Sequence, residues 1–301
     1  ANVMRSCDDV YVRYGSALTQ ATIRPSLASS SMQTQCDFAH SRGWTLVYKG
    51  AGSGMKTTAQ ANLPALLDPA SGTASGKMSD AEYEAKMQET VLPTFERLKQ
   101  QCKAENLLRP AVVYGYFPVN SSGNDLIVYD PEDHDREIER FTFPRQSQRK
   151  RLCISDFFRD VDSGEKDVLP LTCVTMGTRV SEAARTLYEA NNYTEYLYLH
   201  GMGVETAEGL AEMWHKRIRQ ELGIAGEDSP TVKGLFTQKY RGSRYSFGYP
   251  ACPDMSDQEI LFRLIEPERI GCHLTENWQI DPEQSTSAII VHHPEAKYFN
   301  V

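Results

Sequence analysis

The run RPAVVYGYFPVN, the turn NSSGN and the run DLIVYD constrain this chain more than any other stretch. Both runs are rich in β-branched and aromatic residues, and a few turn residues join them. Such a short connection only allows antiparallel pairing, because a parallel pair needs a crossover of about a dozen residues. REIERFTFPR then alternates Ile138, Phe141 and Phe143 with charged residues, with the register slipping by one at Arg140. DVLPLTCVTMG reads as a fourth strand and TSAIIVHH as a closing one.

Helical signals flank this meander. SDAEYEAKMQETVLPTFERLKQQCKAE opens with a capping box from Ser79 to Glu82, and Tyr83, Met87, Val91, Phe95, Leu98 and Cys102 fall on one helical face. Pro93 lacks an amide hydrogen and should kink or split that helix. Ser181 to Ala190 and Val204 to Leu222 read as two helices interrupted by NNYTEY, with GMG (Gly201 to Gly203) at the start of the second. SDQEILFRLI reads as a last helix. Antiparallel strands with helices grouped apart give an α+β class.

Residues 1–75 differ in composition: glutamate is absent, and Ser, Thr, Ala and Gly dominate. They read as an atypical N-terminal segment, poorly ordered or foreign to the rest, with one domain over 76–301. The 301-residue chain carries a formal charge of −8, which argues against nucleic acid as the main partner. The basic run RQSQRKR (Arg145 to Arg151) reads as a solvated turn. Seven cysteines without a CxxC pair suggest reduced thiols. No apolar run approaches the ~20 residues of a membrane span, and no leader is visible. The expected location is cytoplasmic.

Several groupings could carry chemistry. DPEDHDRE (Asp130 to Glu137) lacks the alternate oxygen ligands and bend glycine of a calcium loop and reads as a turn. Glu212 and His215 have ExxH spacing without a second copy, and read as a surface pair. His292 and His293 project to opposite faces of a strand. Nucleophile elbows, Walker loops and dinucleotide fingerprints are absent. No catalytic or metal-ligating set emerges.

YRGSRYSFGYPACPD (Tyr240 to Asp254) is too interrupted for a helix and too rich in proline for a central strand. It reads as exposed, semi-rigid backbone. An arginine fork here suits a carboxylate, Gly248 allows close approach, and Tyr245, Phe247 and Tyr249 offer flat walls. A packed aromatic loop without a ligand accounts for the same composition.

RGSRYSFGYPACPD resembles the RxxxGYPxxPD signature of the C-terminal activation domain of cobalamin-dependent methionine synthase. VVYGYFPVNSSGNDLIVY, YLYLHGMGVETAEGLAEMWHKRIRQELG and STSAIIVHHPEAKYFNV resemble the same domain in order, covering Gly76 to Val301. The resemblance implies a C-shaped α+β domain on a twisted antiparallel sheet that binds S-adenosylmethionine. In that family, cobalamin oxidised to cob(II)alamin returns to methylcobalamin with an electron from a flavoprotein (flavodoxin or a diflavin reductase) and a methyl from S-adenosylmethionine. The resemblance gives Arg244 the methionyl carboxylate, makes Tyr298 and Phe299 cofactor contacts, and lines the pocket with Ser246, Gly248 and Tyr249, the last facing cobalamin. Glu208 matches a helix glutamate near the site, whereas Gln238 stands where the family has another glutamate. No motif in residues 1–75 matches the family group that receives the cofactor's amino group.

The DxHxxG cobalamin motif, a zinc-binding cysteine set and a folate barrel are absent from the sequence. The chain is therefore expected to be a fragment or a separate subunit acting on a cobalamin domain, in methionine biosynthesis. A stand-alone S-adenosylmethionine-binding protein without methyl transfer is the alternative.

Overall fold

The computed structural model describes residues 2–4, 10–11, 85, 87–147, 150–231, 234–235, 237–299 and 301. The capping box at Ser79 and Glu82, and nearly all of the segment 1–75, lie outside the described residues.

Among the described residues, ten strands and four α-helices run in the order β1 (Asn2–Met4), β2 (Val10–Tyr11), α1 (Leu92–Ala104), β3 (Ala111–Ser122), β4 (Asp125–Tyr129), β5 (Glu137–Thr142), β6 (Asp167–Thr175), α2 (Thr178–Glu189), α3 (Tyr193–Glu221), β7 (Ser243–Tyr245), α4 (Gln258–Ile265), β8 (His273–Leu274), β9 (Ile280–Asp281) and β10 (Ser285–Val291). The main sheet is antiparallel in the order β2-β1-β3-β6-β10-β7, with β4 on β3 and β5 on β4. The α+β expectation from the hairpin holds. The slip noted at Arg140 has a physical form: Val128 faces Glu139 but Tyr129 faces Glu137, so Ile138 is an extra residue in a bulge. The bulge brings Ile138 and Phe141, three apart, to the same core.

Side-chain alternation along the strands splits the interior in two. Val112, Tyr114, Tyr116, Val174 and Ile290 face a core shared with α1, α2 and α3. Val113, Phe117, Leu169, Leu171, Ile289 and Val291 face a second core with α4 and the segment around Phe247. Both faces of the central strands are covered, which is why their sequences read as nearly unbroken apolar runs.

Three helix expectations change. A π-helical turn over Met87–Val91 leads into α1, and Pro93 lies in the first turn, where its missing amide hydrogen has no partner to lose. The helix therefore begins near the proline. NNYTEY does not break the next pair for its whole length: α3 starts at Tyr193 and runs 29 residues. Gly201 and Gly203 consequently sit inside that helix. A Cβ at Gly203 would lie 2.6 Å from Gln284 Cγ, so glycine lets α3 approach the segment entering β10. Close packing explains Gly203 better than a helix start.

Arg145, read as part of a solvated turn, is forked on Asp156 at 2.7 Å from each terminal nitrogen. Asp130 to Glu137 does form the turn between β4 and β5, tied by the Arg136–Asp130 ion pair. His292 and His293 lie just beyond β10: His292 meets Asp167 at 2.8 Å and His293 packs near the Phe157 ring. Among the described residues no helix is long and apolar enough to cross a membrane.

Candidate functional site

Strand β7 has three residues and pairs with β10 through Ile290 opposite Arg244. Alternation sends Tyr245 into the second core, and Arg244 to the opposite face, towards α3. On α3, Glu208 and Glu212 are four residues apart and so share a helical face. Both meet the same guanidinium nitrogen: Arg244 Nη2 lies 2.7 Å from Glu208 Oε2 and 3.1 Å from Glu212 Oε1. Arg244 is 14% exposed, whereas the glutamates are 45% and 43% exposed. Nη1 is buried without a hydrogen-bond partner among the described residues. Burial works against the charge, but Glu208 and Glu212 outweigh it and hold the guanidinium above its ordinary value.

A buried layer supports this cluster. His215, one turn beyond Glu212, is fully buried and packs edge-on against Tyr240 at 5.2 Å. It is not a surface partner of Glu212; the amphipathic pattern of α3 turns it inward. Burial first, then the nearby Arg219 and Arg244 charges, lower its pKa well below the ordinary histidine value, so it is neutral at pH 7. Arg219 lies over the Tyr240 ring at 4.2 Å and is forked on Asp228 at 2.8 and 2.9 Å. Tyr240 itself is pushed up to about 12, chiefly by burial.

The FGYPACPD stretch (Phe247 to Asp254) is less exposed than its composition suggests. Phe247, Ala251 and Cys252 are buried, and Phe247 stacks on Phe141 at 6.1 Å. Gly248 and Tyr249 form the protruding tip. Gly248 has φ +82°, which favours glycine, and its amide donates to the Cys252 carbonyl at 3.0 Å to close the turn. The Cys252 thiol donates to the Ser246 carbonyl at 3.0 Å, and burial pushes it up to about 12. This cysteine braces the loop and is no nucleophile at neutral pH.

The C-terminal tail lies along that loop. Tyr245 Oη donates to the Lys297 carbonyl at 2.8 Å, the Tyr245 and Tyr298 rings stack at 6.4 Å, and the Val301 amide reaches the Pro250 carbonyl at 3.3 Å. Tyr298 and Tyr249 are 44% and 57% exposed, whereas Phe299 is buried against Phe157 and Tyr245. The fold therefore joins Arg244 with Glu208, and Ser246, Gly248 and Tyr249 with Tyr298 and Phe299. Among the described residues, no group of three or more His, Cys, Asp or Glu could hold a metal ion.

The family model for the activation domain of vitamin B12-dependent methionine synthase matches residues 71–301. The chain belongs to this family. The activation domain is 48% identical over 206 residues to methionine synthase of Mycobacterium tuberculosis, covering 65% of this chain and 17% of that protein. Against methionine synthase of Mycobacterium leprae it is 47% identical over 202 residues, 64% of this chain and 17% of the relative. The chain thus spans about a sixth of the length of these relatives. A crystal structure of the MetH reactivation domain bound to AdoHcy superposes with a TM-score of 0.66 at 24% identity, covering 80% of this chain and 78% of that one. That likeness supports the fold of the activation domain.

Sequence reading of this activation domain overlooked Glu212 as a partner of Arg244, although its i,i+4 spacing from Glu208 was the available signal. It also overlooked the buried Glu221, which accepts hydrogen bonds from Tyr114 Oη (3.1 Å), Tyr116 Oη and Arg217 Nε (2.9 Å). Arg217 is an i,i+4 neighbour of Glu221, but the two tyrosines lie more than 100 positions away in sequence and leave no local pattern.

Proposed function

We propose that this activation domain binds S-adenosylmethionine beside Arg244 and the aromatic loop that follows β7, and presents its methyl group for reductive reactivation of cobalamin held by another domain or subunit of methionine synthase. The observation carrying this reading is Arg244: a largely buried guanidinium with one terminal nitrogen on two glutamates and the other without a partner among the described residues. A carboxylate suits the vacant nitrogen, because a charge-assisted hydrogen bond would satisfy a buried donor. Glu208 and Glu212 favour the cationic groups of the same ligand.

β7 is the last strand of the sheet order, so the charged cluster on one of its faces and the aromatic loop that follows it lie at the same end of the sheet. Ser246 and Gly248 offer backbone there. Tyr298 gives an exposed ring for stacking with Phe299 packed behind it, and the exposed Tyr249 stands at the tip facing the cobalamin partner. When bound, the sulfonium supplies an electrophilic methyl group to cobalt reduced by one electron from a flavoprotein such as flavodoxin or a diflavin reductase, and departs as the neutral thioether. The chain's own residues bind and orient the donor; none is assigned a proton transfer. The chain acts as a module of the methyltransferase, not as a complete enzyme.

The test combines a separate cobalamin domain in its oxidised, inactive state, a flavoprotein reductant and S-adenosylmethionine carrying a labelled methyl. Label should reach cobalamin only when this chain is added. Equal transfer without the chain would overturn the proposal.

A further inference from the structure

The Arg244 cluster holds a surplus of negative charge. Glu208 and Glu212 both rest on one guanidinium nitrogen, and both remain nearly half exposed. Nearby arginines are already engaged, Arg219 with Asp228 and Arg241 with Glu227 at 3.2 Å, and the exposed Lys216, one turn beyond Glu212, makes no ion pair with either glutamate. His215 is buried, and burial followed by the Arg219 and Arg244 charges lowers its pKa well below the ordinary value, so it adds no cation to the cluster. Arg244, Glu208 and Glu212 therefore sum to one negative charge. Two carboxylates at i,i+4 repel each other, so the second needs a reason beyond holding an arginine that the first already holds. A ligand that brought only a carboxylate would add to that repulsion. A ligand that also carried two cations would cancel it.

We infer that Glu212 is a specificity-determining residue that senses the sulfonium charge, so that the site prefers the methyl donor over the neutral thioether left after transfer. This deepens the preceding reading and rests on S-adenosyl ligands binding at Arg244. With its amino-acid end zwitterionic, S-adenosylmethionine carries a net positive charge and S-adenosylhomocysteine carries none. The difference is one charge facing one surplus carboxylate. At a partly exposed site, water weakens that attraction to about a tenfold preference. Methyl transfer would then remove the charge that held the ligand, which favours exchange of spent thioether for fresh donor.

Calorimetry on the whole chain with S-adenosylmethionine and S-adenosylhomocysteine tests this. The natural protein should bind the sulfonium about tenfold more tightly. Glu212→Gln should lose about tenfold for the sulfonium and stay within about twofold for the thioether, and Glu212→Asp, which keeps the charge, should retain the preference. Raising salt from about 50 to about 500 mM should erode the preference of the natural protein, a check that needs no variant to fold. Equal losses for both ligands in Glu212→Gln would mean that Glu212 only positions Arg244, and would refute the inference while leaving the binding reading intact. An absent or salt-independent preference in the natural protein would refute it too. No binding of either ligand would instead bring down the reading on which it rests.

Discussion

Replacing Arg244 with alanine should weaken S-adenosylmethionine binding by about 2–4 kcal/mol, or about 30- to 1000-fold in Kd. The figure follows from burial: the guanidinium is 14% exposed, so a ligand carboxylate paired with it is shielded from water and bulk solvent cannot replace the arginine. The fold should survive, because Glu208 and Glu212 are nearly half exposed and can be rehydrated once the guanidinium is gone. Each solvent-screened pair contributes about 0–1 kcal/mol to stability, so the loss in affinity should exceed the loss in stability. Arg244→Lys separates charge from geometry. A single ammonium cannot hold two glutamates on one nitrogen and offer a second, divergent one to the ligand, so it should recover only part of the affinity. Calorimetry gives the affinities, and thermal unfolding confirms that the variants are folded. An alanine variant that unfolds cooperatively and binds as tightly as the natural protein would remove Arg244 from the site.

Two predictions concern the scaffold. Glu221→Ala removes the acceptor for Tyr114, Tyr116 and Arg217 and strands the Arg217 charge in the interior, so urea unfolding should show a loss of about 3–5 kcal/mol; a loss under about 1 kcal/mol would contradict the assigned network. Asp257 has its pKa raised to about 6, by burial first and by the neighbouring Asp254 second. The folded state thus holds that proton more tightly than the unfolded one, so the stability Asp257 contributes below about pH 4 is lost as pH rises through about 6. Asp257→Asn should therefore raise the urea midpoint at pH 8 and leave it nearly unchanged at pH 4; an equal shift at both would rule out titration of Asp257 as the cause.

The strands were legible because period-two alternation and turn residues are local signals, and even the bulge at Ile138 appeared as a slip in the pattern. The beginning of α3 was not, because NNYTEY and the glycines at 201 and 203 look like helix breakers until Gln284, some eighty residues later, is seen packing against Gly203. Arg244 stood out through its company of aromatics and prolines. Of its two carboxylates, Glu208 was reached only through the family resemblance and Glu212 not at all, since the docking of α3 over β10, beside β7, is what brings them to the arginine. His215 misled for the opposite reason: its spacing from Glu212 suggested a shared surface, but the side chain turns inward to Tyr240. The aromatic loop looked exposed because glycine and proline dominate its tip, whereas its buried half is set by pairing with β10 and contact with the tail.

The alternation that turns Arg244 to one side and Tyr245 to the other has a consequence for how this site can change over time. A side chain beside β7 can be exchanged at a cost confined to that position. Deleting Gly242 or Ser243 would be of another order, since it would swing the cation into oil and the phenol towards the glutamates in a single step. The spacing of this short strand, more than the identity of any neighbour, is what the ligand site cannot give up.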